Sequence, residues 1–237
     1  MCWRELIRSL SEEVAMVDAK ALLEEMRNEL QPVAEQLLQH PYVQELEEGK
    51  IGREKLRLFA GEQYNIIASD LKSAAHLVSR FGSAPSRDFF LGILQGERAA
   101  WDALLTFAHA LGLSEAQLRE HEPLPGAHAY TCYMAWLALY ASDAEIAAAY
   151  LVNFPACGQN CGRLSRILKE HFGLGEKDLA FFDLFASPPA TFEADALSVI
   201  QQGLDRGSEP RLIQRAARLL QAYELMYWDT LYRTSSS

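Results

Sequence analysis

Hydrophobic residues recur at intervals of three and four along almost the whole chain, which is the period of an amphipathic α-helix. No stretch alternates apolar and polar residues for long enough to indicate a β-strand. The chain has 237 residues and contains neither an internal repeat nor a low-complexity linker. The pattern therefore predicts an all-α fold in a single domain of eight or more helices.

Cap and breaker residues predict where these helices begin and end. The predicted helical segments of the first half are 18–39, with Pro32 as a candidate interruption, a new turn from Pro41 to Gly49, 53–80 and 85–111. They are followed by a short helix from the capping box 114–117, a helix at 127–140, and a helix from the capping box 142–145 to about Phe172 with a kink at Pro155. The three last helices are divided at 188–189 and 207–210. We expect residues 1–17 to be an N-terminal extension and residues 234–237 a disordered tail.

Glu224 lies within an apolar helical stripe near the end of the chain. Leu220 precedes it by four residues, and Tyr227, Trp228 and Leu231 follow at i+3, i+4 and i+7. A carboxylate on the buried face of a helix is costly unless something binds it, and inward carboxylates commonly build ligand or metal sites in helical bundles. The alternative is that Glu224 lies at the edge of the stripe and is solvated.

Composition and charge exclude several classes of function. No apolar run approaches the roughly 18 residues that a membrane span needs, and the N-terminus has charged residues in place of an apolar signal region. A net charge of −10 opposes binding to a phosphate backbone. We expect a cytoplasmic protein that binds neither membranes nor nucleic acid.

Two thiols, Cys157 and Cys161, occupy one helix face at i and i+4. Two thiols alone do not form a zinc site, and none of the six histidines belongs to a Glu-x-x-His or His-x-x-x-His motif. The sequence predicts no metal and no cofactor. Two other roles remain open for these cysteines, which are close helix packing together with Gly158 and Gly162, or a single reactive thiol.

Aromatic and polar residues are paired on several predicted helices. The groups are Glu62 with Tyr64, Tyr130 with Tyr133 and Trp136, Asn153 with Phe154, and Glu224 with Tyr227 and Trp228. A cavity with aromatic walls and a few polar groups suits a flat heterocycle that forms hydrogen bonds. The alternative is an ordinary aromatic core.

Three segments resemble the TenA (thiaminase II) family of the heme-oxygenase-like superfamily, which also includes PqqC-like and CADD-like proteins. They are 40–49 (HPYVQELEEG), 129–133 (AYTCY) and 224–232 (ELMYWDTLY). The likeness covers about residues 20–233. It implies a heme-oxygenase-like multi-helix bundle, a role in thiamine metabolism, and assembly as a homodimer or homotetramer.

The resemblance also assigns roles to positions. Glu224 falls where the family holds the pyrimidine amino group and assists proton transfer, and Tyr130 falls on a pocket tyrosine. Asn153 takes the place of the cysteine nucleophile, Cys157 that of a tyrosine, and Gln63 that of an aspartate. A two-residue insertion after Pro155 would restore a cysteine, at the cost of the helix register. A neutral amide is too weak a nucleophile for covalent displacement, so ordinary thiaminase chemistry is not expected.

The di-iron branch of the same superfamily matches less well. Its late-helix pattern Phe-Phe-x-x-His-x-x-x-Asp-x-x-His places Phe185, Pro189 and Phe192 at the ligand positions. Upstream, Glu97 matches one ligand position, whereas the histidine and carboxylate positions hold Ala100, Leu104 and Cys157. Aromatic carbons do not coordinate iron.

The sequence thus predicts a metal-free cavity for a small planar molecule of the pyrimidine type, with Glu224 as general acid/base of a possible hydrolase. The predicted binding residues are Gln63, Tyr64, Tyr130, Asn153, Phe154, Cys157 and Tyr227. Two alternatives are a di-iron oxidase or oxygenase, and a non-catalytic ligand-binding or interaction protein. The last predicts a cavity filled by Phe185 and Phe192.

Overall fold

The computed structural model describes residues 18–83 and 85–234, and the predicted N-terminal extension (1–17) and residues 235–237 lie outside this range. All the secondary structure in the described part is helical, as predicted. The helices are α1 (Ala19–Leu38), α2 (Pro41–Glu47), α3 (Arg53–Arg80), α4 (Ser86–Ala110), α5 (Glu115–Arg119), α6 (Pro125–Tyr140), α7 (Asp143–Phe172), α8 (Glu176–Ala186), α9 (Phe192–Asp205) and α10 (Pro210–Arg233).

Local capping explains most of the helix limits. The predicted capping boxes at Ser114 and Ser142 both form, with the side chain of each serine accepting from the backbone three residues later. Helices α1 and α7 continue through Pro32 and Pro155. Helix α6 begins at Pro125, two residues before the predicted start, because proline at the first helical position loses no intrahelical hydrogen bond.

Two hydrophobic clusters form the core, and α7 contributes to both. One cluster joins α1, α9 and the first half of α10 to the start of α7. The other joins α2, α8 and the second half of α10 to the end of α7. Tyr130 of α6 packs against both clusters. The cavity described below lies at this junction.

A lysine that is distant in the sequence binds the residues at the end of α10. Lys55, in the first turn of α3, donates from Nζ to the carbonyl oxygens of Leu231 at 2.7 Å and Tyr232 at 2.8 Å, and also to that of Thr234. The hydroxyl of Thr234 donates to the carbonyl of Thr230 at 2.7 Å. Thr234, the first residue of the predicted tail, thus forms hydrogen bonds in the structure, and the rest of that tail lies outside the described residues.

Helix α8 packs closely against one glycine of α7. A Cβ atom at Gly158 would lie 2.8 Å from the backbone oxygen of Phe185, whereas one at Gly162 would meet the Cβ of Ala186 at an ordinary 3.6 Å. The prediction that small residues beside the two cysteines permit close packing is confirmed at Gly158. Within the described residues, no helix combines the length and apolar character needed to cross a bilayer.

Candidate functional site

The segments with family resemblance meet at the carboxyl-terminal half of α10. His40 caps α2 through Nδ1, which accepts from the backbone N–H of Tyr42 at 3.2 Å, while its Nε2 lies 3.3 Å from Oδ1 of Asp229. The ring of Tyr42 packs 5.5 Å from that of Trp228, centroid to centroid. These contacts fix the rotation of α10 and with it the direction of Glu224.

A cavity of about 70 Å³ opens between α3, α4, α6, α7, α8 and α10. This volume is several times the ~10–15 Å³ that one water molecule needs, so the cavity has room for more than a single water molecule. Its lining residues are Phe59, Gln63, Ile66, Ile67, Asp70, Glu97, Tyr130, Tyr150, Asn153, Phe154, Cys157, Cys161, Leu164, Phe181, Phe185, Glu224, Tyr227 and Trp228. Among the described residues that line it, none is Lys, Arg or His.

Glu224 faces this cavity and is 5% exposed, so the solvated alternative is wrong. Asn153 donates from Nδ2 to Oε2, and Trp228 donates from Nε1 to Oε1 at 3.4 Å. Burial raises the pKa of Glu224 to about 7, against the opposing effect of these two donors. At neutral pH the carboxyl group is therefore divided between its protonated and ionised forms.

Asn153 is held by its own neighbours on α7 and α10. Its Nδ2 lies 3.4 Å from Oε1 of Gln221, and Nε2 of Gln221 donates to the carbonyl of Val152 at 3.1 Å. Because Gln221 is anchored on the backbone, the amide of Asn153 is oriented to present its N–H groups to Glu224. The polar end of the cavity is thus organised before any ligand arrives.

Gln63 and Tyr227 form a second polar contact on the wall. Nε2 of Gln63 donates to the hydroxyl of Tyr227 at 2.8 Å. Burial raises the pKa of Tyr227 well above its usual value, so its hydroxyl stays protonated. That proton remains available for a hydrogen bond to a ligand.

Cys157 lines the cavity one helical turn after Asn153. A hydrogen bond with Cys161, followed by burial and the nearby charges of Cys161, Glu224 and Glu97, raises the pKa of Cys157 well above its usual value. Nucleophilic attack requires the thiolate, which this environment disfavours. Cys157 can contact a molecule in the cavity, but its protonated thiol is a poor nucleophile.

Seven of the eight residues proposed from sequence lie along the cavity, and Tyr64 does not. Tyr64 is buried on a different face of α3, where its ring lies 4.7 Å from that of Trp101. Gln63, Ile67 and Asp70 recur at helical spacing and face the cavity, and Tyr64 is turned by about 100° from Gln63. The expectation that Tyr64 forms a stacking wall is therefore a misassignment of helix face.

The sequence reasoning did not place three polar residues in the cavity lining, Asp70, Glu97 and Tyr150, and it named Glu97 only as a match to one ligand position of the di-iron branch. Asp70 follows Ile66 and Ile67 on the inward face of α3, and Glu97 lies between apolar residues of α4. The argument that singled out Glu224 applies equally to these two carboxyl groups. Their position as polar residues within an apolar helical stripe could have identified both from the sequence.

The family model of the TENA/THI-4/PQQC family matches residues 27–234. The chain belongs to this family. Among curated proteins, it is 24% identical over 194 residues to the 4-aminobenzoate synthase of Chlamydia muridarum, covering 78% of this chain and 80% of that protein. The family membership confirms the resemblance seen in the three sequence segments.

Solved structures of other family members and of a heme oxygenase share the fold. A TenA homolog from Pseudomonas syringae pv. tomato superposes with a TM-score of 0.77 at 15% identity, covering 92% of this chain and 97% of that one. Heme oxygenase-1 from the cyanobacterium Synechocystis, solved with heme, gives a TM-score of 0.61 at 14% identity, covering 88% and 90%. The heme-oxygenase-like helical bundle predicted from sequence is confirmed.

Proposed function

We propose that this TenA-family protein binds a small planar molecule of the aminopyrimidine type, with Glu224 as its principal polar contact. The observation that carries the proposal is a buried carboxyl group, oriented by Asn153 and Trp228, facing a cavity with aromatic walls. A partly protonated carboxyl group can accept from an exocyclic amine through one oxygen and donate to a ring nitrogen through the other. An aminopyrimidine presents this pair of groups side by side.

Hydrolysis is the reaction that best fits these residues. In the ionised form, Glu224 takes a proton from a water molecule as the water oxygen bonds to the carbon that bears the departing nitrogen. It then returns the proton to that nitrogen as the C–N bond breaks. A pKa near the working pH suits both halves of this exchange. The high pKa of Cys157 and the neutral amide of Asn153 argue against a covalent intermediate.

The two alternatives receive less support from the described residues. They contain no group of three or more His, Cys, Asp or Glu side chains that could hold a metal ion, so we derive no step through iron. The cavity is open beside Phe185, and Phe192 packs instead on Phe154 with ring centroids 4.8 Å apart. A filled cavity, which a purely non-catalytic scaffold predicts, is therefore not what the structure has.

The product named for the chlamydial relative, 4-aminobenzoate, fits the lining of this cavity poorly. A 4-aminobenzoate product carries a carboxylate, and the cavity is lined by the carboxyl groups of Asp70, Glu97 and Glu224 with no cationic residue among its described lining. A buried carboxylate of the bound molecule would have no cationic partner in this lining, which makes its burial costly. The aminopyrimidine class avoids this conflict because it carries no anionic group.

We also propose that the protein is cytoplasmic and forms a homodimer or homotetramer. The end of α6 exposes a group of large apolar side chains, Trp136 at 42%, Leu139 at 53% and Tyr140 at 68%. A second copy of the chain would cover this surface. Light scattering after size exclusion tests the assembly, and a strictly monomeric mass would contradict it.

The binding proposal is tested with thiamine and with 4-amino-2-methylpyrimidine, using calorimetry and thermal shift. We expect the aminopyrimidine to bind the natural protein and to bind Glu224→Gln about tenfold or more weakly, because the NH2 group of the glutamine would face the N–H donor of Asn153 or Trp228 where a carboxylate oxygen accepts. Glu62→Gln is the matched control. Glu62 is buried but lies outside the cavity, where it accepts from Leu124 N–H at 2.9 Å. No binding and no turnover of either compound would refute the proposal.

A further inference from the structure

Two thiols in contact face the cavity from α7. Cys157 and Cys161 lie about one helical turn apart on this helix, and both line the cavity. Both are free cysteines, Cys161 being buried and Cys157 partly exposed. A hydrogen bond joins the two thiols. The two sulfur atoms are therefore placed to act together on one molecule in the cavity.

The helix spacing of these cysteines does not suit a disulfide bond. Residues four apart on a helix have Cβ atoms about 5–6 Å apart, whereas the Cβ atoms of a disulfide lie about 3.5–4.5 Å apart. Helix α7 is continuous through both positions. A Cβ atom at Gly158 would lie 2.8 Å from the backbone oxygen of Phe185, so α8 packs tightly on the turn between the cysteines and opposes its distortion. A bridge through one additional atom bonded to both sulfurs fits this spacing better.

The charge of the cavity lining restricts what that atom can be. Sulfur ligands select soft acceptors such as Cu(I), and structural zinc sites need four ligands. A Cu(I) ion held by two thiolates would carry a net negative charge. The described lining has three carboxyl groups and no Lys, Arg or His, so this charge would be buried without a cationic partner. A soft atom that forms an uncharged product with two thiols avoids this cost, and trivalent arsenic is such an atom.

We propose that Cys157 and Cys161 together bind trivalent arsenic, supplied as its neutral oxyacid, arsenous acid. Each thiol replaces one hydroxyl group on arsenic, so two As–O bonds break and two As–S bonds form. The two thiol protons leave with the displaced hydroxyl groups as two water molecules, and the third hydroxyl group stays on arsenic. Arsenic remains trivalent throughout, and no oxidant or reductant is needed.

The high pKa of Cys157 is compatible with this reaction. A protonated thiol attacks slowly, which affects the rate of binding. The product contains no free thiolate, so the burial that disfavours a charged sulfur does not disfavour the bound state.

The bound arsenic would lie beside the polar end of the cavity. The hydrogen bond with Cys161, burial and nearby charges, which include Glu224, raise the pKa of Cys157. Burial, followed by smaller effects that include the charge of Cys161, raises that of Tyr227. The two sulfurs are therefore close to Glu224 and Tyr227. We expect arsenic to compete with the aminopyrimidine, and this consequence alone rests on the proposed function.

The test uses Cys2→Ser/Cys132→Ser, which removes the other two cysteines of the chain. This protein is incubated with sodium arsenite, washed with the monothiol glutathione, and analysed for arsenic. We expect one arsenic atom per chain to be retained and to be released by the dithiol 2,3-dimercaptopropanol. Adding Cys157→Ser or Cys161→Ser should weaken retention about tenfold or more, because only a paired thiol makes the second As–S bond intramolecular. Thermal unfolding shows that each variant folds, and alanine replaces serine in any variant that does not.

Loss of all arsenic in the glutathione wash would overturn the inference, as would equal retention by the proteins with a single cavity cysteine. Diamide oxidation provides a second measurement, and a Cys157–Cys161 disulfide that forms readily in the folded protein would contradict the spacing argument. The same proteins are titrated with 4-amino-2-methylpyrimidine. If that compound binds and arsenic is not retained, only the dithiol site fails. If arsenic is retained and the aminopyrimidine does not bind the unmodified protein, the proposed function fails and the dithiol site stands.

Discussion

The side-chain amide of Asn153 donates a hydrogen bond to Oε2 of Glu224 and so joins α7 to α10 inside the cavity. A donor that stabilises the ionised carboxyl lowers its pKa, opposing the larger effect of burial. The balance between these two effects keeps the pKa of Glu224 at about 7. Asn153 is therefore the residue through which the protonation state of Glu224 can be adjusted.

Replacing Asn153 by alanine should raise the pKa of Glu224 by about one unit or more, because a hydrogen bond to a charged group contributes roughly 1.5–3 kcal/mol. Carbon-13 NMR of labelled glutamate side chains measures the titration directly. Asn160→Ala is the matched control, since Asn160 is also buried on α7 but donates to the carbonyl of Leu37 at 2.9 Å. An unchanged Glu224 titration in Asn153→Ala would contradict the assigned hydrogen bond.

Stability should fall as the pH rises through 7. The pKa of Glu224 is about 7 in the folded protein against 4.5 for the unconstrained group, so the folded state binds more protons between these values. The stabilisation is present in full below the unfolded pKa and is lost as the pH passes the folded one. For Glu224 the change is about 3 kcal/mol in the free energy of unfolding.

Urea unfolding at a series of pH values, for the natural protein and for Glu224→Gln, isolates this contribution. Asp70, whose pKa is also raised to about 7, adds to the same trend in both proteins and cancels in the comparison. The stability of the natural protein relative to the variant should decrease by about 3 kcal/mol from acidic to alkaline pH. Parallel pH curves for the two proteins would mean that Glu224 has an ordinary pKa.

Iodoacetamide at neutral pH should modify Cys132 at least about tenfold faster than Cys157. Cys132 is exposed, whereas the hydrogen bond with Cys161 and burial keep Cys157 in its protonated form. Peptide mass spectrometry over time measures both rates, and Cys132→Ser provides the control in which the exposed site is removed. Faster labelling of Cys157 would indicate a thiolate and would restore covalent catalysis as an explanation.

The two glycines of α7 should respond oppositely to alanine. Gly162→Ala should stabilise the protein by about 0.5–1 kcal/mol, because alanine favours the helix and its Cβ meets only ordinary contacts. Gly158→Ala should destabilise it, because the new Cβ would displace the backbone at Phe185 on the cavity wall. Thermal unfolding of the pair measures the contrast. Equal stabilisation by both substitutions would show that α8 moves away from α7 without cost.

The helix limits could be predicted because capping residues act on neighbouring positions in the sequence. Contacts between residues that are far apart in the sequence could not be predicted. The capping boxes at Ser114 and Ser142 involve residues three apart, so they are visible in the sequence. The hydrogen bond between Thr234 and Lys55 joins residues 179 positions apart, and no local pattern reveals it. Helical periodicity placed Glu224 within an apolar stripe but left open whether its carboxyl group is buried or solvated, which the structure decides.

The same periodicity identified some site residues and misplaced others. Tyr64 was chosen for its aromatic ring and its pairing with Glu62, and neither of these residues lines the cavity, because adjacent helix positions face different directions from Gln63. Asp70 and Glu97 satisfied the criterion used for Glu224 and were within reach of the sequence. Among the residues that the structure describes, Oδ1 of Asp70 and Oε2 of Glu97 have no hydrogen-bond partner, and this follows from the three-dimensional packing of the helices and not from any sequence pattern.

Lys55 ties the first turn of α3 to the last turn of α10, and both helices contribute residues to the cavity wall. A deletion that removes Thr234 and the residues just before it would remove the carbonyl groups that Lys55 holds. We therefore expect an affinity tag joined directly to Tyr232 to loosen the contact between α3 and α10 and to weaken binding at the proposed site.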